Sequence, residues 1–399
     1  RYLSRRLALC ALAVDGAWGS DRRAGAGNMA ARPDFPLRPQ TKGTEMHRRT
    51  FLKTGAGVTA AGALATPAIA QGKIKWKLPT AFPKMAPGVG TNVTTFAARV
   101  AAMSDGRLTF DVYGAGELVP PFGVEDAVQQ GKAPVGHGPT YYAAGKNPAL
   151  HWFTGVPFGM TSNEHYAWLR WGGGQEVWDE IYAQRNLKPI YSGNSNTQSG
   201  GWFKKPIESV ADLQGLNMRI AGLGGEIYRK LGVNAVLMPP PEIFQALQSG
   251  AIDAAEWVGP MLDQAFGLQK ITNLCYLPAF NEPGAGLAVV FNADAWAELP
   301  ADLQAICESA ALTAALEAQA QFDHFNAKAL VELKAQGVEF RNFPADVIAG
   351  LRAAWDEVQD DLAAANPDVA RVRESYDPAL AQARDYAVAM TAPLLTGRG

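Results

Sequence analysis

The residues best suited to chemistry in this sequence are those that could seize a small acid. Arg219 lies in Leu216-Asn217-Met218-Arg219-Ile220, just before the glycine-rich Ala221-Gly222-Leu223-Gly224-Gly225. A planar guanidinium gives a carboxylate two parallel hydrogen bonds, so an arginine at a strand tip suits the fixing of an organic anion. The ordinary alternative is a surface ion pair. Glu256, the backbone carbonyl of Trp257 and the amide of Gln198 are oxygen donors of the kind a hard cation prefers, and such a cation can bridge protein and bound carboxylate. Glu256 could instead pair with a basic neighbour, and Trp257 could be wall or core. Tyr141 and Tyr142 carry phenols that either donate to an acid oxygen or pack as core.

Signals for catalysis are weak. From residue 71 onward the histidines are His137, His151, His165 and His324, none in an H-x-x-x-H or H-E-x-x-H arrangement, which argues against a zinc hydrolase. There is no G-x-S-x-G elbow and no Walker A loop. Gly222 to Gly225 lacks dinucleotide-fingerprint spacing and reads as a turn. An exported isomerase or lyase using Arg219 and Glu256 on a carboxylic acid is the rival reading.

The elements around these residues predict an α/β fold. Residues 74–78 alternate like a strand, 93–103 have helical spacing with Gly106 as a stop, and 109–113 read as a second strand. Short Gly/Pro connections between such units point to parallel or mixed sheets flanked by helices. A short internal repeat relates 124–139 to 243–260: in each, a helix with an Ala-apolar-Gln core ends at a glycine, Gly131 or Gly250, and a short apolar strand follows. Tyr141 and Tyr142 follow one strand, Glu256 and Trp257 the other. Ligands of open α/β sheets gather beyond the carboxyl ends of strands, so two similar lobes would present these groups across one cleft. Residues 300–337 contain no internal Gly or Pro and predict a helix of about 50 Å that braces both lobes. Two more helices are expected over 345–365 and 379–390, separated by Asn366-Pro367 and Asp377-Pro378.

The first 70 residues read as targeting sequence. Residues 1–45, beginning with Arg1, are expected to be upstream of the natural start at Met46. From there MHRRTFLKTGAGVTAAGALATPAIAQ has paired arginines, a mild apolar stretch too short to span a bilayer, and a small-residue cleavage site at Ala68-Ile69-Ala70. This predicts twin-arginine export to the periplasm and a mature chain starting near Gln71. Residues 71–399 hold 25 basic against 34 acidic side chains, which disfavours nucleic acid as a partner. Cys275 and Cys307 lie in that stretch and Cys10 does not; two cysteines make no disulfide scaffold, and whether they pair is left open.

Several segments together resemble the solute-binding proteins of tripartite ATP-independent periplasmic (TRAP) transporters: YGAGELVPPFGVEDAVQQG, SVADLQGLNMR ending at Arg219, LQSGAIDAAEW, and the Leu299-Pro300 helix leading to GVEF. The resemblance covers nearly all of 71–399. It implies a two-lobed, type II-like periplasmic binding protein with hinge strands, a long bracing helix and a C-terminal helical tail. Lobe I would comprise 71–195 and 283–322, lobe II 196–282 and 323–365, and 366–399 a helix exchanged between two subunits. The branch it most resembles binds 2-oxo or 2-hydroxy monocarboxylates such as pyruvate or lactate with a metal ion, sodium or calcium. In that branch Arg219 matches the carboxylate clamp, Gln198, Glu256 and the Trp257 carbonyl match the ion's ligands, and Glu282 and Tyr142 match further contacts, with Tyr141 the alternative to Tyr142. The implied partners are the small and large membrane subunits of the transporter. A ligand-sensing partner of a sensor kinase would share this fold and site.

Overall fold

The computed structural model describes residues 72–398. The expectations for 1–45 and for the signal over 46–70 lie outside them. In chain order the strands are β1 (Ile74–Pro79), β2 (Leu108–Tyr113), β3 (Val135–Gly138), β4 (Leu187–Asn194), β5 (Gly201–Phe203), β6 (Asn217–Arg219), β7 (Asn234–Val236), β8 (Ala254–Ala255), β9 (Leu274–Tyr276), β10 (Gly286–Asn292) and β11 (Glu339–Arg341).

They sort into two groups. β1 and β2 pair in parallel, and β10 lies between β3 and β4, antiparallel to both. A parallel bridge between Thr80 and His137 links β1 to β3. Every residue of β10 is buried, and this central strand reads as the unbroken apolar run Leu287-Ala288-Val289-Val290-Phe291. The second group is one six-stranded sheet in the order β11-β9-β5-β8-β6-β7. The chain passes between the groups three times: from β4 to β5, from β9 to β10, and along the helix that precedes β11.

That helix, Ala301–Ala335, is 35 residues long, about 52 Å at the usual rise. It packs on the helix Val89–Met103 and on β4, and at its other end on the helix Pro260–Phe266. The buried Ala310, Ala311, Ala314, Ala315 and Ala318 keep its facing surface thin. Asn92 ties the approach together, its side-chain N–H groups donating to Ser192 O at 2.7 Å and Ala314 O at 3.2 Å. The expected brace is therefore present, packing on β4 of one group and on the helix Pro260–Phe266 that follows β8 of the other.

The C-terminal region departs from the expected pattern at one point. The helix Ala345–Ala365 ends at Asn366, whose side chain caps the next helix by accepting from Asp368 N and Val369 N, with Pro367 in its first turn. This next helix, Pro367–Tyr386, runs through Pro378 without the break expected at Asp377-Pro378. Proline removes one donor and frees the carbonyl four residues back; here that residue is the exposed Glu374, where water can serve. Val369, Val372 and Tyr376 are buried and hold the preceding turns, and Arg373 Nε donates to Asp377 at 2.9 Å. The first half of the tail thus packs on the body, while Tyr386, Val388, Met390, Leu394 and Leu395 beyond it are exposed.

Cys275 and Cys307 are both buried and unbonded, in different hydrophobic clusters. Near the first of them, Asp263 is wholly buried, accepting from Trp202 Nε1 at 2.9 Å and Val258 N at 3.2 Å. Burial pushes its carboxyl up to about 6 from an ordinary value near 3.8, against the pull of those hydrogen bonds. The folded state therefore holds a proton that the unfolded chain releases, so this group's contribution to stability falls as pH rises from about 4 to about 6. Asp263→Asn is expected to remove that part of the decline, read as a flatter plot of melting temperature against pH in calorimetry; an unchanged slope relative to the parent protein would contradict the assignment.

Candidate functional site

Arg219 ends β6 and Glu256 follows β8, and these neighbouring strands are parallel with Arg219 in register with Ala255. Both side chains consequently rise from the carboxyl ends of the same part of the sheet, where the alternation of elements leaves room for a ligand. Arg219 is 1% exposed and Glu256 0%. Arg219 Nη1 donates to the Glu256 carboxylate at 2.9 Å and to the Glu256 backbone carbonyl. The guanidinium also lies 5.4 Å from the Trp257 ring centroid, within cation–π range. Ala221 N–H, on the glycine-rich turn, donates to the same carboxylate oxygen of Glu256 at 3.3 Å.

The two crossing segments supply the next groups. Gln198 sits between β4 and β5, and Glu282 between β9 and β10; both are buried. Gln198 Nε2 donates to Ser195 Oγ at 2.8 Å and, more weakly, to Glu282 at 3.4 Å. Tyr141 and Tyr142 occupy the turn Thr140–Ala143 after β3. Tyr141 lies close enough to Glu282 to help hold its carboxyl down. Tyr142 packs edge-on against Phe122 and beside Phe82, which also lies beside the Trp257 ring. All the residues singled out from the sequence, Arg219, Gln198, Glu256, Trp257, Glu282, Tyr141 and Tyr142, are therefore brought to one place. The internal repeat has the geometry its pattern suggested, since Gly131 and Gly250 both take positive φ, 69° and 85°, at the two helix ends.

The charge balance is uneven. Burial raises the Glu256 carboxyl well above its ordinary range, Arg219 pulls it back and Glu282 pushes it up again. Glu282 is pushed up to about 7 by burial, offset by Arg219 and by its neighbours Tyr141 and Gln198. One guanidinium thus faces two buried carboxyl groups, and with both ionised the cluster carries one surplus negative charge. Gln198 Oε1, Glu256 Oε1 and Arg219 Nε are buried without protein partners. Unpartnered buried polar atoms are costly and rare. Two oxygens and a surplus negative charge suit a hard cation, and a spare guanidinium N–H suits an acid oxygen, so the residues fit a cation and a carboxylate held together. Among the described residues no group of three or more His, Cys, Asp or Glu gathers as metal ligands, so such a cation would draw on amide and backbone oxygens beside the Glu256 carboxylate. Outside the tyrosines, a groove of about 590 Å³ lined by Tyr141, Tyr142, His151, Gly222, Arg229 and Leu362 leads toward this cluster.

Burial pushes His137, His151 and His165 below their ordinary range. His137 is buried and held by Thr80 Oγ1 at 2.8 Å and Asn92 Oδ1 at 2.9 Å, and burial pushes it down to about 3; His165 is pushed down to about 4. Three residues that sequence reasoning passed over join the site: Ser195, Asn281 and Phe82. Asn281 is 3% exposed with neither side-chain polar atom partnered. The available signal for Ser195 was the polar run from Ser192 to Ser199, which begins in β4, continues past its end and is buried at all but Thr197.

Known proteins point the same way. The family described as bacterial extracellular solute-binding protein, family 7, matches residues 86–366, and a twin-arginine translocation signal matches residues 45–65. A monocarboxylate 2-oxoacid-binding periplasmic protein of Nostoc sp. is 40% identical over 339 residues, 83% of this chain and 93% of the relative. A TRAP solute-binding protein of Bordetella bronchiseptica, a mixed-occupancy dimer with copurified calcium and picolinate in its active site, aligns with a TM-score of 0.81 and 33% identity over 82% of this chain and 97% of that one. A TRAP periplasmic solute-binding protein of Pseudoalteromonas atlantica with bound sodium and pyruvate gives 0.79 and 37% over 81% and 99%. With its buried cluster of Arg219, Glu256 and Glu282, two groups of strands and export signal, the chain belongs to the family 7 extracellular solute-binding proteins of TRAP transporters and is a periplasmic protein sent out by the twin-arginine route.

Proposed function

We propose that this protein captures a 2-oxo or 2-hydroxy monocarboxylate, pyruvate or lactate in size, together with a sodium or calcium ion, and delivers it unchanged to the small and large membrane subunits of its transporter. The observation that carries this reading is the buried cluster in which Arg219 faces Glu256 and Glu282 while Gln198 and Glu256 each keep an unpartnered oxygen. Arg219 grips the acid's carboxylate, and Tyr141, Tyr142 and Glu282 contact the rest of the ligand. Gln198, Glu256 and the Trp257 carbonyl hold the cation, which supplies positive charge to the acid's oxygens. The Nostoc relative's 2-oxoacid binding and the sodium, calcium, pyruvate and picolinate of the structural neighbours support this assignment. Lobe I is 71–195 with 283–322 and lobe II is 196–282 with 323–365, a division supported by the membership of the strands in the two groups. Closure is a hinge motion on the crossing segments, and the ligand favours the closed form by binding it better.

Native mass spectrometry of protein purified gently from periplasm is expected to show a copurified acid of this class with a cation. Recovery of that acid chemically altered after incubation would favour the isomerase or lyase instead. The exposed apolar side chains Tyr386, Val388, Met390, Leu394 and Leu395 along the tail support a homodimer through the C-terminal helix. Sedimentation velocity of residues 71–399 should then show a two-subunit species that truncation after residue 378 converts to a monomer, and a full-length monomer would rule the dimer out.

A further inference from the structure

The cation ligand Gln198 has an amide whose two ends look alike in shape but differ in chemistry, and only one end can serve a cation. Its orientation is settled by Ser195, three residues earlier and 1% exposed. A serine hydroxyl has one proton to give and two lone pairs to receive. Ser195 Oγ donates to Asn196 O at 3.3 Å and accepts from Ala285 N at 2.9 Å, which leaves one lone pair. Gln198 Nε2 donates to it at 2.8 Å. With its proton directed at Asn196 O and one lone pair taken by Ala285 N–H, Ser195 presents its remaining lone pair to Gln198 and favours the amide's donor end. The second contact of the same nitrogen, to Glu282 at 3.4 Å, also requires a donor when that carboxylate is ionised. Gln198 Oε1 is thereby turned away from both and left as a buried oxygen without a protein partner.

Ser195 also stands where the two crossing segments meet. Residue 195 follows β4, and Ala285 precedes β10, ninety positions away. The adjoining Asn196 takes a left-handed φ of 57° and is pinned to the long helix, donating to Gln319 O at 3.0 Å and Asp323 Oδ1 at 2.7 Å. The amide is thus oriented by the same contacts that hold the crossing segments against each other and against the brace.

We propose that Ser195 is a positioning residue that sets the polarity of the Gln198 amide and so links cation affinity to the contact between the two crossing segments. This rests on the reading of Gln198 as a cation ligand given above. Groups that orient a metal's ligands change affinity by roughly 10–100-fold when removed.

The test uses the mature protein, residues 71–399, stripped of cation and titrated by calorimetry with calcium chloride in the presence of saturating pyruvate. Ser195→Ala is expected to weaken calcium binding by about 10-fold or more, while its ligand-free circular dichroism stays that of the parent. Ser195→Thr, which keeps the hydroxyl, is expected to restore most of the affinity. Equal calcium affinity in the parent and Ser195→Ala would overturn the proposal, as would a Ser195→Thr protein that is folded but as weak as the alanine variant. A parent protein whose pyruvate binding ignores both calcium and sodium would instead defeat the underlying assignment of Gln198, and the two failures are told apart by the parent's own titration.

Discussion

Arg219→Ala is expected to reduce pyruvate affinity at least about 100-fold, and calorimetry at ordinary protein concentrations should show no binding heat. Removing one partner from a buried charge pair costs about 3–5 kcal/mol, which corresponds to roughly two to three and a half decades in Kd. The guanidinium is 1% exposed, so water cannot substitute for it. Part of that cost falls on the folded state as well, but the freed carboxyls relieve it by taking up protons, so the fold should persist with a lowered melting temperature. Glu256 and Glu282 already sit above their ordinary range with Arg219 present, and its removal raises both further. The variant should therefore lose more melting temperature relative to the parent at pH 8 than at pH 5. Retention of parental affinity would remove Arg219 from the site.

Glu256→Gln separates the cation from the acid. The amide keeps an oxygen that can accept from Arg219, now at 2.9 Å from the carboxylate, while the negative charge disappears. Affinity of oxygen sites for hard cations depends strongly on the number of charged ligands. Calcium binding should fall by about 100-fold or more, and the stimulation of pyruvate binding by calcium should vanish over a chelator-to-calcium titration. A variant that still responds to calcium like the parent would place the cation elsewhere or nowhere.

Much of this was readable in the chain because it is local. A strand ending in arginine before glycines, two helix-glycine-strand junctions and a 35-residue stretch of helix formers each announce themselves within a few residues. Gln198, Glu256 and the Trp257 carbonyl could be named from the sequence only as candidate oxygen donors; the resemblance singled them out for the proposed cation, since no spacing rule distinguishes Gln198 from any other glutamine. Ser195 was invisible for a physical reason: its role depends on Ala285, and only the fold brings positions ninety apart into hydrogen-bond range. Pro378 misled in the opposite sense. The local rule that proline stops helices is sound, but Tyr376 and its buried neighbours anchor the turn before it and the freed carbonyl faces solvent.

Arg219, Glu256 and Glu282 are each no more than 2% exposed. For a solute seated among them, as proposed, dwell time depends on how often the surrounding segments part as well as on the strength of its own contacts. Tightness of grip and length of stay become separately adjustable. Stiffening the brace or its anchor at Asn196 would slow unloading without altering which acid is chosen, and a membrane partner that pries the walls apart could speed unloading without touching the cargo.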